Sequence, residues 1–213
     1  MKFRIISLLF LLIMPLNIMA QESKTQESNI DDKLVIVRKF IDNFCNKIIN
    51  ISANKELSSG EKISNLLDHI DNSVNSKWIS RFVLGSNYRN MTNEQITRFN
   101  NIYRQYMINT YSPKFKNYNS YGVNIHSVEK FKRFYLVATS FDIESSKEPV
   151  EISFRVKSFN NKFLIIDIIA EGISLIETQR SEFGAAISSN GIEKFIDMMN
   201  DKLAKLKNID KKK

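Results

Sequence analysis

The sequence predicts an α+β fold, with helices first and an antiparallel meander of strands second. Two observations carry that reading. Up to about residue 113 the apolar residues recur at helical spacing behind serine and threonine caps. From about Tyr121 they alternate with period two, and after Gly172 the helical spacing returns.

Each element has its own signal. Asp31 or Asp32 can cap a helix running to about Ile51, with Val35, Ile36, Phe40, Phe44 and Ile48 near its buried stripe, while residues 21–29 read as polar and frayed. Ser58 and Glu61 form a capping box ahead of Ile63, Leu66, Leu67, Ile70 and Val74. Ser76 opens a short helix holding Trp78, Ile79, Phe82 and Val83, and Gly85 is its stop. Thr92 and Gln95 repeat the capping-box spacing before Ile96, Phe99, Ile102, Tyr103, Tyr106 and Met107, with Pro113 expected beyond the helix end.

Four strands follow, over 123–129, 133–143, 150–159 and 162–172. The third is the plainest, because Val150, Ile152, Phe154 and Val156 alternate with Glu151, Ser153, Arg155 and Lys157. Asn160-Asn161 suits a tight hairpin with positive φ, and residues 145–149 make a longer turn. The last strand is apolar on both faces, so it needs cover on each side. Two C-terminal helices break at Gly191, and the lysine-rich stretch from Lys202 to the end reads as a solvated tail.

The N-terminus points to export. Lys2 and Arg4 precede an almost unbroken apolar run over 5–16, short for a bilayer span, and Ala20 offers a cleavage boundary. The rival reading is an uncleaved anchor. Removing residues 1–20 from 213 leaves 193, enough for one domain with a real core, read as a single unit over 21–213. Taking Lys2 and Arg4 from the 31 basic residues and setting 29 against 23 acidic ones leaves +6. In an exported protein that charge suits anionic headgroups or acidic partner surfaces better than nucleic acid. Cys45 is the only cysteine and sits in an apolar helical stripe, so no internal disulfide forms and a buried, inert thiol is expected.

No catalytic constellation emerges. The two histidines, His69 and His126, are far apart, and no His/Cys spacing suits a metal. Gly172-Ile173-Ser174 begins like a nucleophile elbow but lacks its second glycine and any later histidine. There is no phosphate loop or dinucleotide fingerprint. Asp167 and Glu171 could be an acid/base pair, but a buried carboxylate paired with Arg81 or Arg180 explains them more simply.

Three stretches resemble one family. The first is Trp78-Ile79-Ser80-Arg81-Phe82-Val83-Leu84-Gly85 with Tyr88-Arg89. The second is Glu94-Gln95, Arg98-Phe99 and Tyr103. The third runs from Ile166-Asp167-Ile168 through Glu171-Gly172-Ile173-Ser174-Leu175 to Arg180-Ser181-Glu182-Phe183 and Gly191. In order and spacing they are similar to the MlaC proteins, periplasmic phospholipid-binding proteins also called toluene-tolerance auxiliary proteins. Gln179 stands where that family often has an aromatic, and Phe163 where it often has tryptophan.

The resemblance implies a non-enzymatic periplasmic shuttle that helps maintain outer-membrane lipid asymmetry. Its cargo is a diacyl phospholipid, without any other cofactor. Its partners are an inner-membrane ATP-binding-cassette (ABC) transporter complex and an outer-membrane lipoprotein–porin complex, with no nucleic acid. It also implies helices packed on a curved sheet around an internal apolar cavity. The cavity candidates are Phe82, Tyr103, Tyr106, Met107, Tyr135, Val137, Phe141, Ile152, Phe154, Val156, Phe163 and Ile165. The pattern alone leaves open whether the strand residues among them line a cavity or fill a core, and Trp78 and Phe82 read first as helix-to-sheet packing. A small-ligand binder or enzyme on a nuclear-transport-factor-like cone stays as the alternative, with Asp167 and His126 as its only polar candidates, and an interaction module without ligand as a third reading.

Overall fold

Local caps set the helix starts in the computed structural model, which describes residues 17–116, 122–142 and 148–210. Helix α1 (Asn17–Ala53) is followed by α2 (Ser59–Ser73), α3 (Ser76–Leu84), a 3-10 turn (Gly85–Asn90) and α4 (Asn93–Lys116). At α2 the Ser58 hydroxyl accepts from the Glu61 amide at 3.3 Å, and the Glu61 carboxylate accepts from the Ser58 amide at 2.8 Å. Thr92 and Gln95 close the same reciprocal pair at α4, at 3.2 and 2.8 Å. Each box satisfies two amides that a helix start otherwise leaves orphaned.

Two helix ends differ from expectation. Helix α1 begins at Asn17, so the stretch over 21–29 is helical and Asp31 and Asp32 are interior. No glycine or proline interrupts the sequence between Pro15 and the end of α1, so nothing stops propagation upstream. Helix α4 continues through Pro113 to Lys116, where the missing N–H costs a single bond near the end of a 24-residue helix. Residues 1–16, where the sequence reading places the export signal, lie outside the described residues, as do 143–147 in the long turn.

Strands β1 (Val123–Lys130), β2 (Tyr135–Phe141), β3 (Val150–Phe159), β4 (Lys162–Ala170) and a two-residue β5 (Ile173–Ser174) form one open antiparallel sheet in sequence order. Sequence reasoning missed β5 and the 3-10 turn. Asn160 and Asn161 adopt φ of 47° and 63°, as the β3–β4 hairpin demands. A register shift at Arg155/Val156 pairs Arg155 with Asp167 but Val156 with Ile165, leaving Ile166 as the extra residue.

Helices cover both sides of β4. Residues of α1 and α2 share one apolar cluster with one face of the sheet. A second cluster joins α3 and α4 to α5 (Leu175–Asn190) and α6 (Ile192–Asp210). The predicted solvated tail is therefore only partly free. Helix α6 runs to Asp210, Leu203 is buried, and the Lys207 ammonium donates to Gln105 at 2.6 Å. Phe195, Met199, Leu203 and Leu206 extend the apolar stripe past the first of the lysines. Lys202, Lys205 and Lys207 nevertheless stay exposed.

Gly85 is required by its neighbourhood. It ends α3 at φ 58°, ψ −132°, a region of backbone space that side chains strongly disfavour. A Cβ there would also stand 3.2 Å from the Arg180 guanidinium, which lies over the Phe82 ring and donates to the Phe82 carbonyl at 2.7 Å. Gly85→Ala should cost about 1–3 kcal/mol, read as a lowered denaturant midpoint at unchanged slope.

Candidate functional site

The larger apolar face of the sheet follows from strand alternation. Val137 pairs with Phe154, Tyr135 with Val156 and Thr139 with Ile152, so every second side chain of β2 and β3 shares that face. Val156 and Phe154 pair onward with Ile165 and Ile168 of β4. Val137 and Val156 are fully buried, and Ile165 is 1% exposed.

Helix α1 roofs this face with Val37, Ile41, Phe44, Cys45, Ile48 and Ile51, helped by Leu66 of α2. The steps between positions 37, 41, 44, 48 and 51 alternate four and three, the stripe of a one-faced helix. That spacing was available in the sequence. Val35 and Ile36, expected on it, are each 51% exposed because they lie off the 37–41–44 line. Phe44 meets Phe154 edge to face at 5.9 Å and stacks on His69 at 5.2 Å. Tyr135 meets Phe163 edge to face at 5.6 Å.

The polar groups beside this cluster are hydrogen-bonded to backbone carbonyls. The His69 Nε2 lies 3.1 Å from the Phe44 carbonyl, so it carries the proton there, and burial holds the ring's pKa below its ordinary value. The Thr139 hydroxyl donates to the Ile152 carbonyl at 2.6 Å. Burial pushes the Cys45 thiol up to about 12, so it stays protonated and inert at neutral pH. Outside, Asn43, Asn46, Lys47, Asn50 and His69 line an open groove on α1 and α2.

The twelve cavity candidates fall into two places. Tyr135, Val137, Phe141, Ile152, Phe154, Val156, Phe163 and Ile165 all belong to the cluster between the sheet, α1 and α2. Phe82, Tyr103, Tyr106 and Met107 belong to the helical cluster. There Phe82 stacks on Trp78 at 5.3 Å, and Tyr103 stacks on Phe99 at the same separation. The Tyr103 hydroxyl donates to Gln179 at 2.5 Å, and the Gln179 amide reaches the Met107 sulfur at 3.1 Å. Tyr106 lies under the Lys202 ammonium at 5.1 Å. Sequence reasoning left Val37, Ile41 and Ile48 of the roof outside its candidates, although the stripe placed them there.

Asp167 and His126 do not form a catalytic pair. His126 on β1 contacts the Ser140 hydroxyl at 2.8 Å. Three strand spacings, roughly 14 Å, separate β1 from β4. Asp167, 1% exposed, accepts from the Ser174 hydroxyl at 2.7 Å, the Ile176 amide at 3.3 Å and Arg155 at 3.0 Å. Its partner is thus Arg155, not Arg81 or Arg180. The β3–β4 register sets those two residues directly opposite, while Arg81 lies over Tyr88 and Arg180 over Phe82. Burial lifts the Asp167 pKa above the ordinary carboxylate value, against the pull of those donors. Among the described residues, no group of three His, Cys, Asp or Glu could hold a metal. No helix there is long and apolar enough to cross a membrane.

The family model for MlaC protein matches residues 39–201. This chain belongs to the MlaC family. A solved phospholipid-binding protein from Ralstonia solanacearum, determined in complex with a phospholipid, shares the fold at a TM-score of 0.71 and 21% identity. The match covers 81% of this chain and 97% of that one. The MlaC resemblance therefore stands, and the structure gives its motifs a physical meaning. Phe82, Gly85 and Arg180, from the first and third stretches, form one stacked contact, and Asp167 ties β4 to the start of α5. Phe99, Tyr103 and Phe183 interlock in the helical cluster. Those motif residues hold the MlaC fold together, while of the three stretches only Ile168 packs against the sheet-side cluster.

Proposed function

We propose that this MlaC-family protein is a periplasmic phospholipid carrier whose cargo sits between the sheet and α1. The observation that carries this reading is the apolar cluster from Tyr135 to Ile165 under the α1 stripe, where the polar groups of His69 and Thr139 are taken up by backbone carbonyls. The solved neighbour, named for phospholipid binding, supports it. Two acyl chains hold roughly 30 methylenes at about 0.8 kcal/mol each, so exposing them to water costs more than about 20 kcal/mol. A lipid leaves a membrane only into an equivalent apolar shelter.

The shelter opens where α1 lifts from the sheet, and acyl chain takes the place of the Phe44–Phe154 contact. No proton or electron moves, so the role is carriage without catalysis. We read residues 21–213 as one lipid-binding domain. It shuttles between the inner-membrane ABC transporter complex and the outer-membrane lipoprotein–porin complex, and so helps maintain outer-membrane lipid asymmetry. The short apolar run behind Lys2 and Arg4 supports the compartment.

The test is direct. The exported protein, purified without detergent, is extracted with organic solvent and its lipids identified by mass spectrometry, with intact mass measured on the same sample. Diacyl phospholipid with headgroups mirroring the membrane is expected, on a chain beginning near Gln21. A folded, exported protein that yields no phospholipid would sink the reading.

A further inference from the structure

The two hairpins β1–β2 and β3–β4 leave the sheet at the same end. Lys130 pairs with Tyr135, Tyr135 with Val156 and Val156 with Ile165, so residues 131–134 and 157–164 both lie beyond that row. The first turn reads Lys130-Phe131-Lys132-Arg133-Phe134. It is closed by the Phe131 amide donating to the Phe134 carbonyl at 2.8 Å, and the two rings stack at 5.1 Å. The Arg155 guanidinium lies 5.5 Å from the Phe134 ring and anchors the turn from below. Phe131 is left 44% exposed, and Lys130, Lys132 and Arg133 are exposed around it. On the second hairpin Lys162 is exposed, and the Lys157 ammonium lies between the Phe159 ring at 5.3 Å and the Trp78 ring at 6.0 Å. The carboxylate nearest in sequence to these turns is Glu129.

We propose that this end of the sheet is a docking surface for an anionic phospholipid bilayer, with Phe131 entering the headgroup region between the three cations. The charge complements anionic headgroups, and each lysine or arginine near such a surface strengthens binding about fivefold. An aromatic ring held outward by a closed turn suits a boundary that is wet on one side and apolar on the other. Three cations around one projecting ring match a layer of anionic headgroups over an apolar interior. The inference adds a membrane contact to the carrier reading without depending on it.

The experiment is flotation of the full exported chain with phosphatidylcholine vesicles, pure or containing about one third phosphatidylglycerol, at low and high salt. The wild type should float with the anionic vesicles and not with the neutral ones. The triple variant Lys130→Gln, Lys132→Gln, Arg133→Gln should bind them roughly 100-fold more weakly. Phe131→Ser, which leaves every charge in place, should weaken binding several-fold at both salt concentrations. Lys202→Gln, Lys205→Gln, Lys207→Gln on α6 removes the same charge elsewhere and should float as the wild type does.

The proposal is overturned if the wild type ignores anionic vesicles, which leaves an acidic protein as the partner of these cations. It is equally overturned if the α6 variant loses as much binding as the turn variant, which reduces the effect to overall charge. Phospholipid extracted from each variant before flotation separates the two readings. A turn variant that keeps its lipid and loses vesicles is the expected result, and a wild type without lipid that still floats retires the carrier reading alone.

Discussion

Replacing Asp167 with alanine should cost about 3 kcal/mol of folding stability, the low end of what breaking a buried charge pair costs. The carboxylate is acceptor to three donors at once: the Ser174 hydroxyl, the Ile176 amide and Arg155. Alanine leaves all three short of a partner. Arg155 suffers least, because its side chain is 25% exposed and Glu177 holds the same nitrogen at 2.7 Å. The loss therefore falls on Ser174 and Ile176, which join β5 to α5. In a chain of this size about 3 kcal/mol lowers the melting temperature by roughly 6–12 °C. Melts of lipid-free wild type and variant measure it, and a deficit under about 1 kcal/mol would show that the sheet-to-α5 junction does not depend on this carboxylate. The pH dependence has a definite sign. Burial raises the folded-state pKa above the unfolded one, so the native protein binds this proton the more tightly. The stability from that proton is fully present below the unfolded pKa and is lost as pH rises through the folded one. The wild-type advantage over Asp167→Ala should accordingly hold or grow on acidification, and an advantage that shrinks would place the carboxyl below its ordinary pKa instead.

What was legible in the sequence was local. The two capping boxes, Gly85 and Gly191 as helix stops, the Asn160-Asn161 hairpin and the alternation along β3 each depend on residues within a few positions of one another, and each formed as read. The partner of Asp167 depended on a strand register containing an irregularity, and no local pattern announces which residue of β4 is the extra one. Arg155 therefore went unnoticed beside Arg81 and Arg180, whose guanidinium groups lie over aromatic rings instead. The candidate site was legible residue by residue but not as a place. Alternation identified the inward side chains of β2 and β3, while nothing in the spacing tells that Tyr103 and Met107 face Gln179 rather than the sheet. The roof was the reverse case. Its four-three stripe from Val37 to Ile51 was fully present, but Val35 and Ile36 diverted it by about a quarter turn.

Ile152→Trp should empty the protein of lipid and leave it folded. Ile152 is half-buried at the margin of the sheet-side cluster, and its cross-strand neighbours are Thr139 and Ala170, both small. An indole can thus extend over them toward the space assigned to acyl chain, at modest cost to the strands themselves. In a site that is simply close-packed core, the added volume would force strain worth about 1–3 kcal/mol. In a lipid site the same volume displaces cargo, and the indole supplies contacts that the lipid-free wild type lacks there. The two cases separate when phospholipid per protein is measured first and denaturant melts are run on lipid-free samples of both proteins. The carriage reading expects little phospholipid on the variant, with a lipid-free midpoint at or above that of lipid-free wild type. It also expects lipid to stabilise the wild type over its own lipid-free form, since a ligand bound only by the native state adds stability by mass action. A variant that retains its phospholipid and melts earlier would assign Ile152 to the packed core and move the cargo away from this end of β3.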